Sequence, residues 1–231
     1  MEAEDYKSGQ ILLIDKPLKW TSFQVVNKLR WAIKKKYNIK KIKVGHAGTL
    51  DPLATGLLII CTGKFTKKID QFQAEKKEYT GTITLGSSTP SYDLETEIDQ
   101  QYPIDHISET AIHTTSNTFI GIQDQIPPLF SAIKKDGVRL YELARKGETT
   151  EIKPRKIKIE SFEITKIKMP NIEFRVVCSK GTYIRSLAND FGKALNTGAH
   201  LSSLRRTKIG DSQVNNAVTL KEFLSEIGFK N

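Results

Sequence analysis

The chain has 231 residues, enough to bury a core without disulfide or metal staples. Its 36 Lys and Arg outweigh 26 Asp and Glu, giving a formal net charge of +10 that makes a polyanion, nucleic acid first, the leading class of partner. The two cysteines, Cys61 and Cys178, lie far apart in apolar runs, which excludes a disulfide framework and a C-x-x-C site, and no stretch approaches the roughly 18 apolar residues of a membrane span.

Residues 1–9 carry acidic and polar groups with no apolar run, so they read as a flexible tail, with no export signal, on a cytoplasmic protein. Ile11-Leu12-Leu13-Ile14 reads as a buried strand, stopped at Asp15-Lys16-Pro17 because proline cannot continue the ladder. A helix follows, capped by Thr21 or Ser22. Its apolar face is Val25, Val26, Leu29, Ala32 and Ile33, and Lys34-Lys35-Lys36 sits near its C-terminal end. Leu57 to Thr62 has the composition of a strand buried on both faces, so the glycine-rich segment before it is a loop entering the core. Lys77 to Gly86 alternates as a strand exposed on one face, with Tyr79 near its start, and runs into the turn-rich Ser87 to Asp93.

The pattern from Ile107 to Ile120 is mixed, and Ile126-Pro127-Pro128-Leu129 breaks it before a basic stretch through Lys134, Lys135, Arg139, Arg145 and Lys146. Strands are expected at 156–167 and 172–178. Thr182 then opens a helix whose Ile184, Leu187, Ala188, Phe191 and Leu195 share a face, and a further helix is expected over 220–227. No repeat and no Pro-, Ser- or Gly-rich linker divides the chain, so a single α+β domain is expected.

Three segments concentrate unusual residues. In Gly45 to Gly56 the glycines permit backbone conformations closed to other residues, which lets a loop bring a nucleic-acid strand close to its main chain. Asp51 in that loop precedes Pro52 and is biased toward extended backbone; alone it would be an ordinary Asp-Pro turn. His46 lacks partners at metal-ligand spacing, so no metal is expected, and a loop histidine in a basic protein suits a polar or stacking contact to RNA. The loop also lacks the Gly-Lys-Ser/Thr of a phosphate-cradling Walker A. The other two segments are Lys77 to Gly81 around Tyr79 and Ser179 to Arg185. Arg185 is the odd residue there: a cation near a helix N-terminus opposes the macrodipole and calls for a compensating anion, which a buried carboxylate would supply.

Gly45-His46-Ala47-Gly48-Thr49-Leu50-Asp51-Pro52-Leu53-Ala54-Thr55-Gly56-Leu57-Leu58 resembles the catalytic motif of the TruB family of pseudouridine synthases. Supporting segments occur in the family's order. They are Leu13-Ile14-Asp15-Lys16-Pro17, Lys77-Glu78-Tyr79, Gln125-Ile126-Pro127-Pro128 with Ser131-Ala132-Ile133-Lys134, Cys178 to Arg185, and Gly198-Ala199-His200-Leu201 with Leu204-Arg205-Arg206. The resemblance spans roughly residues 10–225. It implies an α+β pseudouridine synthase fold, with a mixed, largely antiparallel sheet flanked by helices. It also implies a basic thumb-like insertion at about 121–152 that grips RNA, and the short form of the family, without a C-terminal PUA domain. The implied activity is isomerisation of the T-loop uridine of tRNA at position 55. The implied partner is the T-arm of tRNA, with no membrane, no cofactor and no obligate protein partner for a monomer.

The resemblance places Asp51 as the essential aspartate. It is a nucleophile on ribose or base, or the group that removes a sugar proton, and the residues leave that choice open. Tyr79 is implied as the tyrosine that stacks on the flipped base and serves in a later proton transfer, Tyr183 and Leu204 as pocket lining, and Arg185 as the cation that holds and orients Asp51. His46 would fill the space vacated in the RNA, and Lys16, Lys134 and Lys135 would bind substrate. Two other readings are a guide-RNA-dependent rRNA pseudouridine synthase and a non-catalytic RNA-binding module. For the latter, Gly45-His46-Ala47-Gly48 fits a KH-type G-x-x-G, but that loop belongs between two helices, whereas here it leads toward a buried strand.

Overall fold

The polar N-terminal segment forms helix α1 (Ala3–Ser8) in the computed structural model, which describes residues 2–135 and 137–229. The flexible tail expected over 1–9 is therefore corrected for 3–8. Tyr6 is fully buried, its ring centroid 5.5 Å from that of Tyr37, while Glu2 and Asp5 close a capping box and Thr62 Oγ1 donates to the Tyr6 carbonyl at 2.8 Å. A single aromatic in a polar segment has no periodicity to read, and its burial is set by partners distant in the chain. Met1, Asp136, Lys230 and Asn231 lie outside the described residues, the first within the expected tail and the second within the expected insertion.

The chain folds as two compact units, Met1–Tyr79 with Leu204–Asn231, and Thr80–Ser203. No linker separates them because the chain passes from one to the other inside strands, at Tyr79/Thr80 in one strand and Ser203/Leu204 in another. This is why a sequence without a linker reads as one domain.

The first unit continues with β1 (Ile11–Lys16), α2 (Ser22–Lys36), β2 (Val44–His46), β3 (Ala54–Thr62), a 3-10 turn at Gly63–Lys68, α3 (Ile69–Ala74) and the start of β4 (Lys77–Leu85). The second unit holds the rest of β4, then β5 (Ser87–Ser88), β6 (Gln100–Gln101), α4 (Glu109–Thr118), β7 (Gly121–Gln125), β8 (Lys134–Lys135) and β9 (Val138–Arg139). It goes on through α5 (Leu140–Arg145), β10 (Arg155–Lys168), β11 (Asn171–Cys178), α6 (Ile184–Ala194) and the first part of β12 (Ala199–Ile209). The end of β12 returns the chain to the first unit, which closes with β13 (Ser212–Gln213), β14 (Val218–Thr219) and α7 (Leu220–Glu226).

In the first unit the strand order is β14-β1-β3-β12, with β2 also on β3. β1 runs antiparallel to β3 (Ile14 opposite Leu58), and β12 runs parallel to it (Leu204 beside Ala54, Arg206 beside Gly56). β3 is the axis of this unit because both its faces are apolar. Leu58 and Ile60 pack with Leu12, Ile14, Phe223 and the α2 face of Val25, Val26, Leu29, Ala32 and Ile33, while Leu57, Ile59 and Cys61 pack with Ala47, Ile209 and Val214. Each fully buried aliphatic side chain contributes about 1.5–3 kcal/mol, so these two layers hold β3, and the loop that feeds it, rigidly. Thr21 is the N-cap of α2, accepting from Gln24 N at 3.1 Å.

In the second unit β4, β11, β10 and β7 are successive neighbours, with β10 antiparallel to both β11 and β7. The fold is thus α+β, with a mixed, largely antiparallel sheet. Phe162 anchors the core between Phe174 and Phe191, at centroid distances of 5.8 and 5.4 Å, in edge-on geometry that suits ring quadrupoles. α4 fills the segment whose pattern was mixed: Ser108 caps it and Ile112 is its fully buried residue. Residues 121–125, the first five of the expected insertion, form β7 on the edge of β10. The polar alternation of Gln123, Asp124 and Gln125 on this edge carries no apolar signal. Beyond it come the β8–β9 hairpin and α5, which Arg145 ties to Glu95 at 3.0 Å.

Candidate active site

In the first unit, the Asp51 loop is held on both sides by side chains that bind its backbone. Arg206, fully buried on β12, donates from Nη2 to Gly48 O at 3.1 Å, from Nη1 to Thr49 O at 3.4 Å and from Nε to Leu57 O at 2.8 Å. Ser22, the first residue of α2, accepts from Leu50 N at 2.9 Å and donates to Leu50 O at 3.2 Å. After Asp51, Pro52 O accepts from Lys19 N at 2.8 Å, and Asp51 O accepts from Ala54 N at 3.0 Å as β3 begins. Gly56 makes this packing attainable: its φ is +102°, and a Cβ there would collide with the backbone carbonyl of Arg206. Asp51 is half-buried, on a preformed loop.

Lys16 departs from its expected role. Rather than a substrate contact, it is fully buried, and its ammonium donates to Trp20 O at 2.5 Å, Pro17 O at 2.9 Å and Pro52 O at 3.5 Å. Burial pulls its pKa down to about 8, against the attraction of Asp51, with Arg206 lowering it further. Lys16 is thus a positioning residue: a buried cation that fixes the loop after Asp51 and places positive charge beside its carboxylate. β1 runs through Lys16 and ends immediately before Pro17, where the proline is expected to stop the ladder.

His46, on β2, is half-buried, with Nδ1 enclosed near the backbone of Gly48. Burial and then the Arg206 charge lower its pKa, so the imidazole is neutral at pH 7. A neutral ring suits stacking on a base. Tyr79 is buried near the start of β4, and Leu204, half-buried on β12, lies beside Ala54 at the head of β3, three residues after Asp51.

The second unit holds the remaining expected residues. Arg185 is in the first turn of α6, with Tyr183 as N-cap. The anion that position calls for is present: Arg185 Nε lies 3.6 Å from Asp93 Oδ2, both side chains being buried, and the guanidinium donates to Ser91 O at 3.2 Å and Phe130 O at 3.0 Å. Asp93 is itself held, its Oδ1 accepting from Glu95 N at 2.9 Å. Tyr183 is clamped by Gln125, which donates to Tyr183 O at 3.0 Å and accepts from Tyr183 N at 2.8 Å. Lys134 and Lys135 are exposed on β8. Lys135 Nζ is bound to Thr150 Oγ1 at 2.6 Å and Glu151 O at 3.1 Å, which leaves Lys134 the more available of the two.

Sequence reasoning missed Arg206, Ser22 and Asp93 as positioning groups. All three act on residues 28 or more positions away, so no local pattern marks them. Their polar side chains are enclosed by partners that only tertiary structure supplies.

A family model described as TruB family pseudouridylate synthase (N terminal domain) matches residues 34–184, and one described as tRNA pseudouridylate synthase B C-terminal domain matches residues 185–230. A Flavobacterium johnsoniae protein named tRNA pseudouridine synthase B is 66% identical over 96% of this chain and 98% of its own. A Phocaeicola vulgatus protein of the same name is 55% identical over 95% and 93% respectively. Among solved structures, the archaeal box H/ACA sRNP Nop10-Cbf5 complex contains a chain matched with a TM-score of 0.69 at 27% identity, over 97% of this chain and 55% of that one. A Cbf5-Nop10-Gar1 complex gives a TM-score of 0.69 at 30% identity, again with this chain spanning little more than half, 56%, of the matched one.

Proposed function

The chain belongs to the TruB family of pseudouridylate synthases, and from that premise we propose that it isomerises uridine 55 in the T-loop of tRNA to pseudouridine. The reaction breaks the N1–C1′ bond, rotates the base and joins C5 to C1′, while the C5 proton leaves and N1 gains one. No electrons leave or enter the substrate, so the chemistry requires no redox cofactor.

The target base must leave its stack to be reached. Tyr79 receives it by stacking, Leu204 lines the pocket in the same unit, and neutral His46 takes the place of the base in the RNA. Asp51 is the catalytic carboxylate. Within the second unit, Arg185 is held in place by Asp93. Lys134 contributes to RNA grip from the insertion, and the enzyme works where tRNA is found, in the cytoplasm.

The observation that carries this reading is the Asp51 loop: a half-buried carboxylate whose flanking backbone is fixed by Arg206, Ser22 and Lys16. Such preorganisation suits a reaction that depends on placing one group accurately. Dependence on a guide RNA is not favoured, because the relatives matched over nearly their whole length carry the tRNA synthase name. The test is tritium release from tRNA transcripts labelled at uridine C5, with pure protein and no guide. Release from the T-loop position is expected; release only after adding a guide RNA would replace this reading with the guide-dependent one.

A further inference from the structure

In the first unit, a cavity of about 630 Å³ is lined by residues of β1, α2 and α7 and by the turn between β1 and α2. Its volume falls in the range of about 300–1,000 Å³ occupied by small-molecule sites. The strand pairing builds it. β14 runs parallel to β1 with Thr219 beside Asp15, so α7, which follows directly, is carried to the strand end where Pro17 and Trp20 lead into α2. Trp20, Leu220 and Leu224 supply an apolar wall, Trp20 and Leu224 being only partly buried against the core.

The charges around this wall do not cancel. Asp15 is the one carboxylate that lines the cavity, and Arg205 takes up both its oxygens, Nη2 donating to Oδ2 at 2.6 Å and Nη1 to Oδ1 at 3.0 Å. The Lys16 ammonium is already bound to backbone carbonyls. That leaves Lys28 and Lys221. Lys28 is half-buried with its ammonium 4.5 Å from the centroid of the Trp31 ring, Lys221 is exposed, and among the described residues no ion pair engages either. An apolar wall beside two uncompensated cations is complementary to a ligand with a flat apolar body and a negative charge. The cavity is also separate from the candidate active site. Side chains alternate along β12, so Arg205 lines the cavity from one face of the sheet, while Arg206 reaches the Asp51 loop from the other.

We propose that this cavity binds a free nucleoside monophosphate, with its base stacked on Trp20 and its phosphate held by Lys28 and Lys221. Every base has a π-face that an indole can stack on. A phosphate monoester carries a charge of about −1.5 to −2 at pH 7, which matches two ammonium groups better than a carboxylate does. Lysine suits the role as a point charge on a flexible stem. The proposal goes beyond the tRNA reading and does not depend on it.

The test uses the full chain carrying Trp31→Phe, which leaves Trp20 as its sole tryptophan. AMP is the probe, because its purine is not the base of the proposed reaction. AMP is expected to change Trp20 fluorescence saturably, and adenosine and inorganic phosphate are each expected to bind about tenfold or more weakly, since each supplies only part of the contacts. Adding Lys28→Gln and Lys221→Gln is expected to weaken AMP about tenfold or more, with thermal unfolding in the absence of ligand unchanged. No saturable change with AMP overturns the proposal, as does an unchanged affinity in the lysine variant. Phosphate binding as tightly as AMP reduces the cavity to a plain anion site and also overturns it. A saturating tRNA transcript then separates a free nucleotide from RNA. AMP is expected to bind Trp20 as before, and its displacement by tRNA overturns the assignment to a free nucleotide. Tritium release takes no part in these readouts, so failure of the tRNA reading and failure of this proposal are seen separately.

Discussion

Arg185 and Asp93 form a buried ion pair, with Nε 3.6 Å from Oδ2 and both side chains removed from water, joining residues that stand far apart in the chain. The arginine occupies a helix N-terminus, where its charge opposes the macrodipole, so the aspartate is what makes the position tenable. Removing one partner of such a pair leaves an uncompensated buried charge and costs about 3–5 kcal/mol. Asp93→Ala is accordingly expected to lower stability in urea unfolding by that order and to reduce turnover, with Asp93→Asn milder on stability because it keeps an acceptor for Glu95 N. An Asp93→Ala protein with wild-type stability would show that the pair is incidental.

Arg185→Ala is expected to lower kcat more than tRNA affinity, because the guanidinium is enclosed by Asp93, Ser91 O and Phe130 O and orders its own unit rather than holding RNA. Single-turnover rates and binding constants measured on the same preparation separate the two effects. A loss confined to binding would assign Arg185 to RNA recognition instead.

Lys16→Met removes the ammonium that binds three carbonyls, and unsatisfied buried acceptors cost about 1–3 kcal/mol each at most, partly offset because the buried charge also disappears. A net destabilisation of about 2–4 kcal/mol is expected in urea unfolding. The pH dependence follows from the lowered pKa of about 8 in the folded protein against about 10.5 for the free side chain. Between those values the unfolded chain binds more protons than the folded one, so the contribution of Lys16 to stability rises with pH through that window. The stability gap between wild type and Lys16→Met should therefore be wider at pH 9.5 than at pH 7. A gap that narrows would mean that the folded protein holds the proton more tightly than the free side chain does.

Ser22→Ala breaks both hydrogen bonds to Leu50, the residue before Asp51. The expected cost is about 1–2 kcal/mol of stability, with a larger proportional effect on kcat than on KM, since the loop loses accuracy while its RNA-facing groups remain. Thermal unfolding and steady-state kinetics of the variant check both parts, and a change in KM alone would move Ser22 out of the positioning role.

The elements legible in the sequence were those whose signal is local. β3 could be read from an apolar run with no polar face, α2 from its spacing and Thr21 cap, and Asp51 from a motif dense enough to override the ordinary Asp-Pro turn. The need of Arg185 for an anion was legible from its place at a helix start, but the identity of Asp93 was not, because nothing in a turn-rich segment marks which carboxylate will be enclosed. Lys16 misled for a related reason. Lysine is rarely buried, and its burial follows only from the convergence of the Pro17, Trp20 and Pro52 carbonyls, which tertiary structure creates. Tyr6 and α1 show the same limit at the N-terminus, where one aromatic side chain turned a polar segment into a packed helix.

The most direct test of the account is tritium release from C5-labelled tRNA by wild type and Asp51→Asn, assayed at equal protein concentration with no guide RNA and with tRNA binding measured in parallel. The substitution keeps size and hydrogen-bonding capacity while removing the charge. The account predicts that wild type releases tritium from the T-loop uridine and that Asp51→Asn binds tRNA but releases none above background. Turnover by Asp51→Asn at a rate comparable to wild type would contradict the assignment of Asp51 as the catalytic carboxylate.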